Sequence, residues 1–151
     1  MRNSIAGFTI LEMLVAIGIA TMLGGALTFV DLNNYRGDAF RSEQDTLVTL
    51  LQTARADALN NIHQERHGVA IHPNGYDGYV IFEGDSYASS TLRTEVPASY
   101  RANLGAGTPS EIIFNQLSGN ANHSNANIVM VDPERHTTTT ITVNHEGAII
   151  W

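Results

Sequence analysis

The sequence predicts an α+β chain, in which one long N-terminal helix is packed against an antiparallel β-sheet domain. Three observations predict it. From Phe8 to Val30 the chain carries no charge except Glu12. Beyond Asp31 the pattern becomes amphipathic, with Leu47, Leu50, Leu51, Ala54, Ala58 and Ile62 recurring three or four residues apart between Arg, Asp, Glu and Gln. From His67 onward, short runs rich in Val, Ile, Phe and Thr alternate with clusters of Gly, Pro, Asn and Asp.

Met1 to Gly7 precedes the apolar run, and Arg2 is its one charged side chain, which holds that end on the cytoplasmic side of a membrane. The 23 residues from Phe8 to Val30 rise about 35 Å as a helix, enough to cross a bilayer core of about 30 Å. A carboxylate inside that core costs about 3 kcal/mol, so Glu12 calls for a compensating partner; a plain anchor would carry an apolar residue there. A removable secretory signal fits less well, because the run is long, contains an acid and lacks a small-x-small cleavage pattern before Asp31.

Residues 31–63 read as the soluble, amphipathic half of the same helix, ending near Ile62. Gly24-Gly25 and the stretch from Asn33 to Gly37 are weak helix formers, at about 1 kcal/mol for each Gly. They mark either bends or small residues for close helix contact. Residues 64–151 form the β-rich domain. Its strands are expected at Gly68 to His72, Tyr79 to Glu83, Ile112 to Leu117, Asn127 to Val131, Thr138 to Val143 and Ala148 to Trp151, the last two as a hairpin. Asp85 to Pro109 is polar and reads as a variable loop with room for one short strand.

The domain outside the apolar run has about 120 residues, one compact domain at usual sizes. Net charge is −7, and loss of Arg2 with the first seven residues takes it to −8. All eight basic side chains are arginines. No basic stripe exists from which to build a nucleic-acid grip, which argues against a nucleic-acid partner. There is no cysteine, so thiolate chemistry and disulfides are excluded and stability rests on packing.

Gly7-Phe8-Thr9-Ile10-Leu11-Glu12-Met13-Leu14-Val15-Ala16-Ile17 resembles the class III signal of type IV pilins and type II secretion pseudopilins. The resemblance implies a pilin-like fold. It implies a leader, Met1 to Gly7, removed by a prepilin peptidase cleaving between Gly7 and Phe8, followed by N-methylation of the Phe8 amine. The Phe8 to Val30 segment would then serve as transmembrane anchor and filament core. Glu12 becomes the fifth residue of the processed chain, and its carboxylate meets the Phe8 ammonium of a neighbouring subunit. Such a desolvated ion pair is weak as net stabilisation but costly to break on one side, so it sets axial register.

A second resemblance covers the globular half, to minor pseudopilins of the GspH/FimT type. Ala54-Arg55-Ala56-Asp57-Ala58-Leu59 is similar to that group's helix end, and Gly78-Tyr79-Val80-Ile81-Phe82-Glu83-Gly84-Asp85 to its Gly-Trp-x-x-Phe-x-Asp strand, with Tyr79 where Trp is usual. Ile113 to Gly119 and Ile141 to Gly147 resemble its two later strand-and-Gly elements. DNA-binding members place arginines beside the terminal Gly, where this chain has Ala148-Ile149-Ile150-Trp151.

The expected function is therefore structural, not enzymatic, with no cofactor, no catalytic residue and no metal. The subunit is held in the cytoplasmic (inner) membrane by a single pass with its domain extracytoplasmic. It is then extracted into a type IV pilus or type II secretion pseudopilus. Its partners are the prepilin peptidase, other pilins or pseudopilins and the membrane assembly platform. A major pilin, and a tip subunit for adhesion or DNA uptake, are the alternatives.

Other constellations carry less. His63 and His67 stand at i and i+4, as metal ligands on one helix face do, but the helix is expected to end near His63. Gly84-Asp85-Ser86 lacks the Gly-x-Ser-x-Gly elbow of a hydrolase. Asp77, Glu83 and Asp85, or Asp132 and Glu134, could offer oxygen ligands to calcium, without the spacing of an EF-hand. Leu104 to Pro109 is glycine-rich without a phosphate loop's Lys. Asn122-His123-Ser124 meets the minimal glycosylation rule. Trp151 reads as part of a core-facing strand or as a partner-binding edge.

Overall fold

A computed structural model describes residues 8–27 and 32–151. The chain divides into two units, Met1–Arg36 and Gly37–Trp151. In the first, helix α1 spans Ile10–Leu27. Thr9 caps it, its Oγ1 accepting the N–H of Glu12 at 3.2 Å and so satisfying one of the donors that a helix start leaves open. Gly24 and Gly25 lie within the helix without breaking it. Every residue from Phe8 to Gly25 is exposed. The Thr21 hydroxyl donates back to Ile17 O and Gly18 O, both at 2.9 Å, which hides it along the helix.

The 18 residues of α1 rise about 27 Å, and among the described residues no helix is long and apolar enough to cross a membrane. Thr28 to Val30, which continue the apolar run, and Met1 to Gly7 lie outside the described residues.

Helix α2 spans Leu32–Leu59 and runs through Asn33, Asn34 and Gly37, where the sequence left room for a bend. It ends short of the expected Ile62. The Asn61 N–H bonds to Ala58 O at 3.2 Å and Asn61 itself takes a left-handed conformation, φ 56°, a conformation that closes helices and that Asn tolerates.

Eight strands follow: β1 His67–Ile71, β2 Gly78–Glu83, β3 Arg93–Pro97, β4 Asn103–Leu104, β5 Glu111–Phe114, β6 Asn125–Val131, β7 Thr138–Asn144 and β8 Ile149–Ile150. They form two antiparallel sheets of four, ordered β3-β2-β1-β5 and β4-β6-β7-β8. The polar stretch from Asp85 to Pro109 contributes β3 and β4, one to each sheet. The sheets meet at Ala121, which bridges to Phe114 of β5 and donates its N–H to His145 O at 3.0 Å, beside β7.

One face of α2 makes the core. Phe40, Leu47, Val48, Leu51, Ala54 and Ala58 are buried against Val69, Ile71, Tyr79, Ile112 and Phe114 of the first sheet and Ala126, Ile128, Met130, Ile141 and Val143 of the second. Alternation explains the second sheet, where inward Ala126, Ile128 and Met130 are spaced by outward residues. In the first sheet β1 is buried along its whole length. Its far side, with Ala70, Val80, Phe82 and Ile113, is covered by Tyr76 and Tyr87. The Tyr87 N–H donates to Glu111 Oε2 at 2.8 Å, and the Arg93 guanidinium lies 4.3 Å from the centre of its ring. Gly84 to Leu92 is thus an ordered cover over the sheet.

Leu51 is fully buried where the helix faces both sheets. Leu51→Ala is expected to cost about 2–5 kcal/mol, read as a fall in the urea midpoint of the full chain.

Candidate functional site

Two of the three residues singled out by the signal, Phe8 and Glu12, are placed by the structure, and Gly7 lies outside the described residues. Phe8 is 79 % exposed and stands one residue before the Thr9 cap. Glu12 is the acid of the first turn of α1, where its charge favours the positive end of the helix dipole. Among the described residues no cation lies within ion-pair distance of it. Around it Ile10, Leu11, Met13, Leu14 and Val15 are all more than half exposed. An apolar helix with no polar face needs lipid or other helices around it.

In the globular unit, motifs distant in sequence converge at the end of α2. Arg55 Nη2 donates to Glu146 O at 3.0 Å. Its Nε lies against Gly147, where a Cβ would come within 2.9 Å of it and would collide with the Gly119 carbonyl oxygen. Gly147 has φ 75° and Gly119 φ 62°, and a Cβ on Gly119 would press into Leu59. The Leu117 N–H bonds to Ala58 O at 2.9 Å. So Arg55, Gly119 and Gly147, each from a different motif, form one packed junction between α2 and the turns after β5 and β7. Glycine at both turns serves the close approach as well as the left-handed backbone.

The remaining motif residue, Tyr79, lies beside a group that the pattern reading missed. Glu43 is fully buried in the apolar stripe of α2. Its Oε2 accepts the N–H and hydroxyl of Ser99, both at 2.8 Å, and the N–H of Tyr100 at 3.1 Å. Burial, then the Glu43 carboxylate, pushes the Tyr79 hydroxyl well above its ordinary range. Tyr100 carries the network on, donating its hydroxyl to Asp132 Oδ1 at 2.7 Å. Asp132 is also fully buried and accepts the N–H of Glu134 at 2.9 Å and of Arg135 at 3.2 Å. Burial works against its charge. The bonds from Tyr100, Glu134 and Arg135, with the Arg135 guanidinium, outweigh it and hold the carboxyl below its usual value. A signal for Glu43 existed: it stands three residues after Phe40 and four before Leu47, in phase with the buried stripe.

The other constellations separate. His63 pairs with Glu83 at 2.8 Å, whereas His67 is buried in β1 with Nε2 3.1 Å from Ile62 O. The helix having stopped at Leu59, the two share no helix face. Among the carboxylates considered for calcium, Asp77 pairs with Arg101 and Asp85 with Arg66. Ser86 bonds to Ser89. Asn122 spends its side-chain oxygen on the Ile113 N–H at 3.1 Å. Among the described residues no three His, Cys, Asp or Glu gather as a metal site would require.

Gly147→Ala is expected to destabilise by more than about 1 kcal/mol, since it meets both a left-handed backbone and a carbonyl; the check is a lower melting temperature. Asp132 gives a pH signature. Its folded carboxyl titrates below the unfolded one, so its stabilisation is complete above about pH 4 and is lost as pH falls through the folded value. Asp132→Asn is expected to flatten that acid limb, seen in urea midpoints taken at stepped acidic pH.

Compared with known proteins, residues 2–28 match the family described as Prokaryotic N-terminal methylation motif. No curated protein and no solved structure matches the chain. Residues 2–28 thus carry the prepilin-type methylation motif, the signal found in the type IV pilin-like class.

Proposed function

We propose that this chain is a structural subunit of a type IV pilus-like filament. In particular it is a minor pilin or pseudopilin of the GspH/FimT type, acting in pseudopilus or pilus assembly for type II secretion. The observation that carries the reading is the methylation motif over residues 2–28, which overlies a capped helix whose apolar residues are exposed on every side.

On this reading a prepilin peptidase hydrolyses the Gly7–Phe8 bond and the freed Phe8 amine is methylated. That amine then lies just ahead of the α1 start. There the helix dipole disfavours positive charge, so the ammonium gains from a carboxylate supplied by a neighbour. Glu12 supplies it, and each carboxylate left unmatched in an apolar bundle costs about 3 kcal/mol. Registers that pair every Phe8 with a Glu12 are therefore selected over those that do not.

The apolar run holds the subunit in the cytoplasmic membrane as a single pass until assembly, with the globular unit outside. Its partners are the prepilin peptidase, the other pilins or pseudopilins and the membrane assembly platform. A minor role is supported by the order of the GspH/FimT-type motifs and by the junction that Arg55, Gly119 and Gly147 form. Nucleic acid is disfavoured as a partner by the net charge of −7 and by Ala148 to Trp151 in place of arginines.

The test is the intact mass and first residue of the chain expressed in membranes with and without a prepilin peptidase. A product beginning at methylated Phe8 is expected, and retention of Met1 to Gly7 would overturn the reading. Glu12→Leu is expected to be processed and retained in membranes but lost from sheared filaments; unchanged incorporation would remove the electrostatic role.

A further inference from the structure

Sheet edges are where a β-protein stands open to pairing, and proteins guard them. In the first sheet the β5 edge is covered by the segment around Ala121. There Asn122 donates its N–H to Ile113 O at 2.9 Å. The β3 edge carries Arg93 and Glu95 and ends on Pro97, side chains that discourage pairing. In the second sheet β4 is two residues long, and the chain after it turns back, Gly105 donating to Val129 O at 2.8 Å. β8 is different: it pairs with β7 alone, bears neither charge nor proline, exposes its own Ile150 at 60 % and is followed by Trp151, exposed at 57 %.

A groove of about 410 Å³ joins β8 to the outer flank of α2, lined by Gln52, Arg55, Ala56, Leu59, Ala148 and Ile149. Its apolar lining comes from Ala56, Leu59, Ala148 and Ile149, and Arg55 is its one charged group. Arg55 Nη2 is engaged by Glu146 O, while its Nε is buried without a hydrogen-bond acceptor. Three requirements follow for an occupant. Backbone N–H and C=O groups complete β8, an apolar side chain meets Leu59 and Ile149, and a carboxylate offsets Arg55. An extended peptide segment bearing an acid meets all three.

We propose that β8 and this groove receive an extended, acid-bearing segment of a neighbouring pilin-class subunit, added as a strand beside β8 and held by Arg55. The proposal rests on the filament-subunit reading and names the surface through which the globular unit meets its neighbour. The donor is a different chain. This protein's own longest edge strand, β3, is blocked as a donor by Arg93 and Pro97.

The experiment places a photo-crosslinking residue at Ile150 of the full chain, in cells assembling filaments, with Thr94 on β3 as the control position. The adduct is identified by mass spectrometry. Expected is an adduct from position 150 alone, to another chain bearing the N-terminal methylation motif, mapped to an extended segment that contains Asp or Glu. Ala56→Arg fills the groove from an exposed position and abolishes the adduct; Gln52→Trp repeats the block should Ala56→Arg lower the melting temperature. An adduct to a second copy of this chain, to lipid or to no protein, equal yield at Thr94, or an adduct indifferent to both blocks would overturn the proposal. Intact mass and filament content are read on the same samples. A chain processed at Phe8 and present in filaments without the adduct refutes strand addition and leaves the filament reading standing, whereas an unprocessed chain refutes both.

Discussion

The stripe of α2 from Phe40 to Ala58 is the surface against which both sheets are buried, and the globular unit depends on its being continuous. The two sheets share little else: the bridge at Ala121 and the chain connections between them. Apolar area alone would let the helix slide along the sheets, since dispersion and hydration forces have no preferred direction. Glu43 removes that freedom. Its carboxylate, buried in the stripe, accepts at Oε2 the N–H groups of Ser99 and Tyr100 and the Ser99 hydroxyl. A shift of the helix by one turn would leave it buried and unpaired, which is far costlier than a lost surface contact. Tyr100 extends the constraint through Asp132 to the end of β6, so one connection between β3 and β4 ties helix, first sheet and second sheet together.

Much of this fold was legible in the residues. The apolar run and the stripe beginning at Leu47 have unambiguous periods, and each expected β-run became a strand with boundaries shifted by a few residues. What escaped has physical reasons. The run Arg93 to Pro97 is polar because β3 is an exposed edge, and an exposed edge has no inward residues to give an alternation. β4 is too short to show a pattern at all. That there are two sheets depends on Ala121, where a single bridge replaces a ladder, and no local propensity encodes that. Of the candidate site, the Phe8 and Glu12 pattern was legible because it is local. Glu43 shows only its phase with the buried stripe; a carboxylate there looks like a break in the stripe until its three donors are in place.

The two units make opposite demands on their surroundings. Within α1 the hydroxyls are turned inward onto the helix itself, by Thr9 at the cap and Thr21 along the barrel, leaving Glu12 as the polar group presented outward. The globular unit buries an apolar core and closes the far face of the first sheet with Tyr76 and Tyr87, leaving Ile150 and Trp151 exposed at β8. A chain built this way offers apolar helix to one environment and a folded domain with its own core to another, a division that suits the prepilin-type signal it carries.

The packing of α2 also has a mechanical consequence. Contacts from Phe40 to Ala58 lie along one helix axis, so a force applied along that axis loads them side by side and not in succession. Elements sheared in parallel resist far more than elements peeled one at a time, because no single contact can fail first and pass its load on gradually. The hydrogen bonds of Glu43 to Ser99 and Tyr100 act as a stop in that geometry, anchoring the helix to the β3–β4 connection. Tension along α2 therefore meets the domain in its stiffest direction, while a sideways pull at β8, held by two residues of pairing to β7, would meet its weakest.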